Sequence, residues 1–443
     1  MVAFFLVSSS LSVFFSCTSS SAELITSLPG QLANVSFRQY SGYIVIDAQH
    51  GRALFYYFVE ADSENPLSHP LTVWLNGGPG CSSLGFGAFM ENGPFQPGNE
   101  GLLTRNEYSW NSVSNMLYLE SPIGVGFSYS NTSSDYINWN DTTTGHYIPQ
   151  LTRLLLEYNR QLKNKPIKLK AIALGNPLLD IEISIDHSEF LWSHGVISDE
   201  LLAITKTVCN YSRYFLEWTR KNVSKECRDM FMQMREEVGN DTDSGDIIIP
   251  ICVSPSTQSA FLGDLAVAKV AKKIAVVDPC LSDRIYAYLN NLGVQKALHV
   301  KPTRTPAAWN FCSGPLNYQR ENMAANIIPL LEEILREHIP ILLYSGDQDS
   351  KIPLTQTRKI ANLLAKDLEL IAFERYGPWY DGLQVGGWTQ SFGRLKSSKN
   401  STILTFATVK GAAHEVPFTS PSQALTLFKA FLKGHPPPRT NNI

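Results

Sequence analysis

Asp349, in YSGDQDSKIP, and His414, in VKGAAHEVPFTSPSQAL, are residue types that can work as a pair. A carboxylate orients an imidazole, and the imidazole takes a proton from a nucleophile. Each follows an apolar run late in the chain. A third stretch, WLNGGPGCSSLG from Trp74 to Gly85, has the composition of an anion-binding turn. Its adjacent glycines let the backbone bend sharply and aim N–H groups into a cleft. Gly78 is the candidate donor to a developing oxyanion. Taken singly, Gly-Asp is most often a turn, a lone histidine is most often structural, and Gly-Gly-Pro-Gly is a common bend. Their joint placement after apolar runs is what gives them a chemical reading.

Loops of this kind need a rigid scaffold. HPLTVWL, NMLYLESP, LKAIALGNPLL, HIPILLYSGDQD and TILTFATVKGAAH are continuous apolar strands, mixed with helical segments such as Ile327–Glu337. That pattern predicts a mostly parallel α/β sheet covered on both faces. Upstream, SGYIVIDAQHGRALFYYFVEA alternates about Gln49-His50-Gly51 and predicts a β-hairpin. From about Glu189 to Cys312 helical periodicity dominates, as in DELLAITKTVCNYSRYFLEWTRKN and ECRDMFMQMREEV. This predicts a helical, disulfide-stapled insertion at 189–312, between core segments 23–188 and 313–443. GDLAVAKVAKKIAVV reads as a surface or core helix of that insertion. The tail GHPPPRT cannot continue a helix and is expected to fray.

A net charge of -3 over 443 residues offers no basic surface for nucleic acid. Residues 1–22 are apolar and then rich in small side chains, as in a secretory signal peptide. No other stretch approaches a membrane span. Beyond Cys17, six cysteines remain: Cys81, Cys209, Cys227, Cys252, Cys280 and Cys312. An even count behind a signal reads as disulfides in an oxidising compartment, and none of the spacings is that of a zinc site. N-x-S/T sequons begin at Asn34, Asn131, Asn140, Asn210, Asn222, Asn240 and Asn400, which fits passage through a secretory pathway.

The acid-then-histidine order matches the α/β-hydrolase series nucleophile, acid, histidine. With WLNGGPGCSS, ENGPF, ESPIGVGFSYS, GHYIPQL, GNPLLD, LWSHGVISD, SGDQDSKIPLTQTR, YDGLQVGGW and GAAHEVP, the chain resembles plant serine carboxypeptidase-like proteins over nearly all its mature length. The resemblance implies an α/β-hydrolase fold and removal of C-terminal residues from peptides at acidic pH, in the vacuole or outside the cell. It implies that Asp349 and His414 are triad members, that Gly78 is an oxyanion donor, and that Asn76, Gly77 and Glu91 bind the substrate's terminal carboxylate. It implies disulfides Cys81–Cys312, Cys209–Cys227 and Cys252–Cys280. The implied partner is a peptide with a free C-terminal carboxylate, with no nucleic acid, membrane, metal or cofactor; a homodimer is admitted. In such a clamp two acidic side chains share the carboxylate, and one must stay protonated, which favours acid pH.

One block departs from the family. Its nucleophile segment reads Gly-Glu-Ser-Tyr-Ala-Gly-His-Tyr, and here only Gly145-His146-Tyr147 survives. Ungapped alignment puts Thr142 at the serine and Asp141 at the glutamate. Thr142 is a poor nucleophile candidate, because an elbow needs a strand feeding a strained turn and SSDYINWNDTTT offers none. No G-x-S-x-G occurs in the chain. Between Pro122 and Gly145 lie 22 residues, whereas a crossover helix plus a further strand needs about 30 to 40. The expectation is a chain without the central strand and elbow, inactive and poorly folded. An acyltransferase of the same fold and a non-catalytic secreted peptide binder are the alternatives.

Overall fold

The computed structural model describes residues 22–32, 35–137, 147–161, 166–243, 245–252, 277–301, 308–312, 326–396 and 399–440. The elbow region, Gly145 and His146, the sequons at Asn34 and Asn140, and GDLAVAKVAKKIAVV lie outside them. The chain forms two compact units, Met1–Ile167 with Leu281–Gln319, and Lys168–Cys280 with Arg320–Ile443.

The first unit holds a five-stranded sheet built from β1 (Glu23–Ile25), β2 (Gln39–Asp47), β3 (Arg52–Val59), β4 (Leu71–Trp74) and β7 (Asn115–Leu119). Its order is β1-β2-β3-β7-β4. A small antiparallel pair, β5 (Phe95–Pro97) and β6 (Leu103–Arg105), lies apart from it. β2 and β3 are the hairpin that the alternation predicts. Its turn closes where the Asp47 carboxylate accepts from the Gln49 and His50 amides at 3.0 and 3.1 Å. β4 and β7, two of the continuous apolar runs, pair in parallel. Every residue of β7 is buried, which a strand covered on both faces requires.

The second unit holds β8 (Ile172–Gly175), β9 (Ile341–Gly346), β10 (Ile371–Ala372), β11 (Gly377–Asp381), β12 (Gln384–Lys396) and β13 (Lys399–Val409). β8, β9 and β13 run in parallel and are the three remaining apolar runs. All six residues of β9 are buried between its neighbours. The antiparallel strands β10–β12 extend this sheet beyond β13, so the sheets are mixed. The parallel pairs are those the apolar runs predict. Among the described residues no strand pairs with both sheets.

Three helices of the expected insertion, Asp199–Thr207, Tyr211–Thr219 and Lys225–Val238, begin where a polar residue can cap them. The side chains of Ser198, Asn210 and Ser224 accept from the amides of Leu201, Arg213 and Cys227. The helices close over Leu201, Met230, Met234 and the Cys209–Cys227 disulfide. The tail is not frayed. Arg439 donates to the Arg375 and Thr389 carbonyls at 2.8 and 2.9 Å and pairs with Glu374, while Pro438 accepts from the Tyr380 amide. One long side chain with three partners holds a segment that has no regular structure of its own.

Candidate active site

In the first unit the glycine turn leaves β4 at Trp74. The Trp74 indole donates to Asn76 Oδ1 at 2.6 Å. That bond orients the amide, so Asn76 Nδ2 donates to Glu91 Oε1 at 2.8 Å. The Asn76 backbone N–H donates to Ser83 Oγ at 3.0 Å. Gly78 has φ +121, a conformation that side chains rarely adopt, and a Cβ there would meet Cys81 Sγ at 2.7 Å. Cys81 is bonded to Cys312, and its N–H closes the turn onto the Gly77 carbonyl. Ser82 then caps the helix Ser83–Glu91, and that helix delivers Glu91, 5% exposed, back to Asn76. The turn thus brings Asn76, Gly77, Gly78 and Glu91 together around one bend. An amide and a carboxylate sharing a hydrogen bond form a surface that can receive a further carboxylate when one acid is protonated.

In the second unit three parallel strands deliver three side chains. Asp349 follows β9 and is fully buried. Its Oδ2 faces His414 Nδ1 at 3.0 Å and accepts from Asn176 Nδ2 at 2.5 Å. Its Oδ1 accepts from the Lys351 and Ile352 amides at 2.8 and 3.0 Å. His414 follows β13, and Asn176 follows β8 with φ +47. Burial works against the charged imidazole of His414. The field and hydrogen bond of Asp349 outweigh it and raise the pKa above the ordinary histidine value. An imidazole held through Nδ1 keeps Nε2 for proton exchange, which is the geometry of a general base with its orienting acid. His187 goes the other way: burial lowers its pKa to about 4, against the partial support of Asp186 and Asp349. The loop at Gly245 and Asp246 reaches this pair, with the His414 N–H donating to the Gly245 carbonyl and Asp246 bridged to Asp349 through the backbone.

Cys252 is bonded to Cys280, the third disulfide. Asn131, Asn222 and Asn240 are exposed. Asn210 caps its helix through Oδ1, and Asn400 lies in β13. The sequence pattern does not single out Asn176, Trp74 or Ser82 as site residues. Asn176 carries a signal like that of Asp349, a polar residue close behind an apolar strand that ends in glycine.

The serine carboxypeptidase family model matches residues 29–145 and 143–434. Serine carboxypeptidase-like 45 of Arabidopsis thaliana is 42% identical over 470 residues, covering 98% of each chain. Serine carboxypeptidase-like 46 of the same plant is 43% identical, covering 97% of this chain and 95% of its own. The crystal structure of KEX1(Δ)p, a prohormone-processing carboxypeptidase from Saccharomyces cerevisiae, superposes with a TM-score of 0.61 at 19% identity over 89% of this chain and 91% of its own. That likeness fixes the α/β-hydrolase fold. With both relatives and the family model spanning almost all of its length, the chain belongs to the serine carboxypeptidase family.

Proposed function

We propose that the gene makes a carboxypeptidase that releases C-terminal residues from peptides, and that this chain is a form of it without a nucleophile. Such a form binds peptide C-termini and does not cut them. The observation that carries this is the break in the family match. Its two parts meet at residues 143–145, where the nucleophile block belongs. The plant relatives support the same reading. Of 470 aligned positions, 98% of 443 residues fills about 434, which leaves about 36 opposite gaps in this chain. That is the size of a crossover helix, a strand and an elbow. The elbow would supply the serine, the second acid of the clamp and one oxyanion N–H, and binding groups alone do not replace a nucleophile.

Asn76, Gly77 and Glu91 would receive the peptide's terminal carboxylate, with Gly78 beside them as the oxyanion donor. Asp349 and His414 would serve the nucleophile in a form that has one. The three disulfides and the sequons support maturation in the secretory pathway, with a vacuolar or extracellular destination. No described helix is long and apolar enough to cross a membrane. An acyltransferase would share the fold and triad, and no observed residue favours that reading.

The test is hydrolysis of an N-blocked dipeptide at pH 4.5 to 7 by the purified chain, beside the same protein with the segment upstream of Gly145 restored from transcripts of the gene. The restored form is expected to release the C-terminal residue and this chain to release none. Turnover by this chain that co-purifies with it through every step would overturn the proposal.

A further inference from the structure

Glu120 is a fully buried carboxylate with no part in the chemistry described so far. It stands just past the end of β7. One of its oxygens, Oε1, accepts from the Ser82 hydroxyl and, at 3.4 Å, from the Leu84 amide. The other, Oε2, accepts from the Phe127 amide at 2.6 Å. All three partners are neutral donors, and burial raises the Glu120 pKa to about 7 against them. A buried acid is costly unless its oxygens have fixed partners. Here the partners come from two loops that the chain separates by 40 or so positions, roughly the glycine turn and the GVGFS loop. Gly126 leaves the space the carboxylate fills, since a Cβ there would sit 1.6 Å from Glu120 Oε2.

Ser82 is the other half of the arrangement. It is fully buried, and its Oγ also accepts from the Gly85 amide at 2.9 Å, the cap of the helix that ends in Glu91. Its own N–H donates to the Phe311 carbonyl beside Cys312. Ser83, the next residue, receives the Asn76 amide. A shift of Ser82 therefore moves the start of the helix and the bend that holds Asn76 and Gly78.

We propose that Glu120 is a positioning residue for the carboxylate-binding and oxyanion turn: its carboxylate holds Ser82, and through Ser82 the register of Asn76, Gly78 and Glu91. This rests on the reading that the turn receives a peptide carboxylate, but its first test does not. Hydrogen exchange is followed by mass spectrometry on the whole chain, wild type, Glu120→Gln and Ser82→Ala. Glutamine keeps the shape and sets an N–H2 against donors. Amides of residues 77–85 are expected to exchange at least tenfold faster in both variants, with the β2–β3 hairpin of the same unit unchanged. Unchanged exchange at 77–85, or an equal rise in the hairpin, would overturn the proposal. Ser82→Ala decides it if Glu120→Gln does not fold.

The second readout is the ratio of dissociation constants for an N-blocked dipeptide and its C-terminal amide. The preference for the free acid is expected to fall at least tenfold in each variant, and the double variant to be no worse than the weaker-binding single one, as for two residues acting as a unit. A wild type with no acid preference, together with the expected exchange change, leaves the positioning role standing and removes the carboxylate-recognition reading. An acid preference kept in full by Glu120→Gln, with exchange unchanged, removes the positioning role instead.

Discussion

The glycine turn of the first unit and the Asp349–His414 pair of the second are held by different means. The turn depends on partners far away in the chain. Its disulfide joins residues 231 apart, and Ser82 reaches Glu120. The pair depends on register. Parallel strands β8, β9 and β13 end side by side, so Asn176, Asp349 and His414 follow from their pairing, and two nearby amides fix the second oxygen of Asp349. Among the described residues, each has the supports just given. On the proposed reading, loss of the elbow removes the nucleophile and leaves each half with its own supports.

The largest effect is expected where one acceptor serves several donors. Asp349→Ala leaves the His414 ring, the Asn176 amide and two backbone N–H groups without it. Removing one partner of a buried polar pair costs about 3–5 kcal/mol. Urea unfolding followed by hydrogen exchange in β9 and β13 should show that loss in the second unit, with the first unit unmoved. A loss under about 1 kcal/mol would mean that the strands hold the pair and the carboxylate does not.

The turn has a different weak point. Replacing Cys81 and Cys312 together by serine is expected to cost the first unit about 2–4 kcal/mol, through loss of the constraint on the unfolded chain. The exchange rates of residues 77–85 should rise with it. If they do not, Ser82 and Glu120 hold the turn without the disulfide, and the contrast with the Asp–His pair narrows.

That contrast also sets what the sequence reveals. The pair is legible because strand register is written in continuous apolar runs, and a polar residue just past each run falls at a predictable edge. HIPILLYSGDQD and TILTFATVKGAAH carry Asp349 and His414 in that way. The hairpin about Gln49-His50-Gly51 is legible from alternation for the same reason. Glu120 and Ser82 are not legible as partners, because nothing local relates two residues on different loops. ESP and CSS read as strand end and turn until the fold brings them together. The anchoring of the tail by Arg439 is not legible for the same reason, since GHPPPRT has no periodicity and its partners Arg375 and Thr389 lie more than a strand away. The division of the insertion is not legible either: helical periodicity runs on past Cys280, yet Leu281–Gln319 belongs with the first unit.

Two histidines of the second unit should answer acid in opposite senses. His187 has an ordinary value of 6.5 and a folded value of about 4. The unfolded chain therefore binds the proton first, and stability falls as pH drops from 6.5 towards 4. His414 is raised, so its contribution is full below 6.5 and is lost as pH rises through its folded value. Urea midpoints measured from pH 4 to 8 should show His187→Gln flattening the acid side and His414→Gln the neutral side. The same slope in both variants would show that neither shift is tied to folding of this unit.

Asn176→Gly is expected to have the smallest effect. Glycine accepts φ +47 without strain, so the change removes the amide and leaves the backbone alone. Asp349 keeps His414 and both backbone donors, and loses only the Asn176 bond to Oδ2. One hydrogen bond to a charged acceptor is worth about 1.5–3 kcal/mol before the freed space admits water, and about 1 kcal/mol is the expected net loss. The informative quantity is its ratio to Asp349→Ala. If Asn176→Gly costs several-fold less, register and the two backbone amides suffice to hold the carboxylate towards His414. If the two cost the same, the carboxylate turns once Asn176 is gone, and the pair depends on a long-range side chain in the way the glycine turn depends on Glu120.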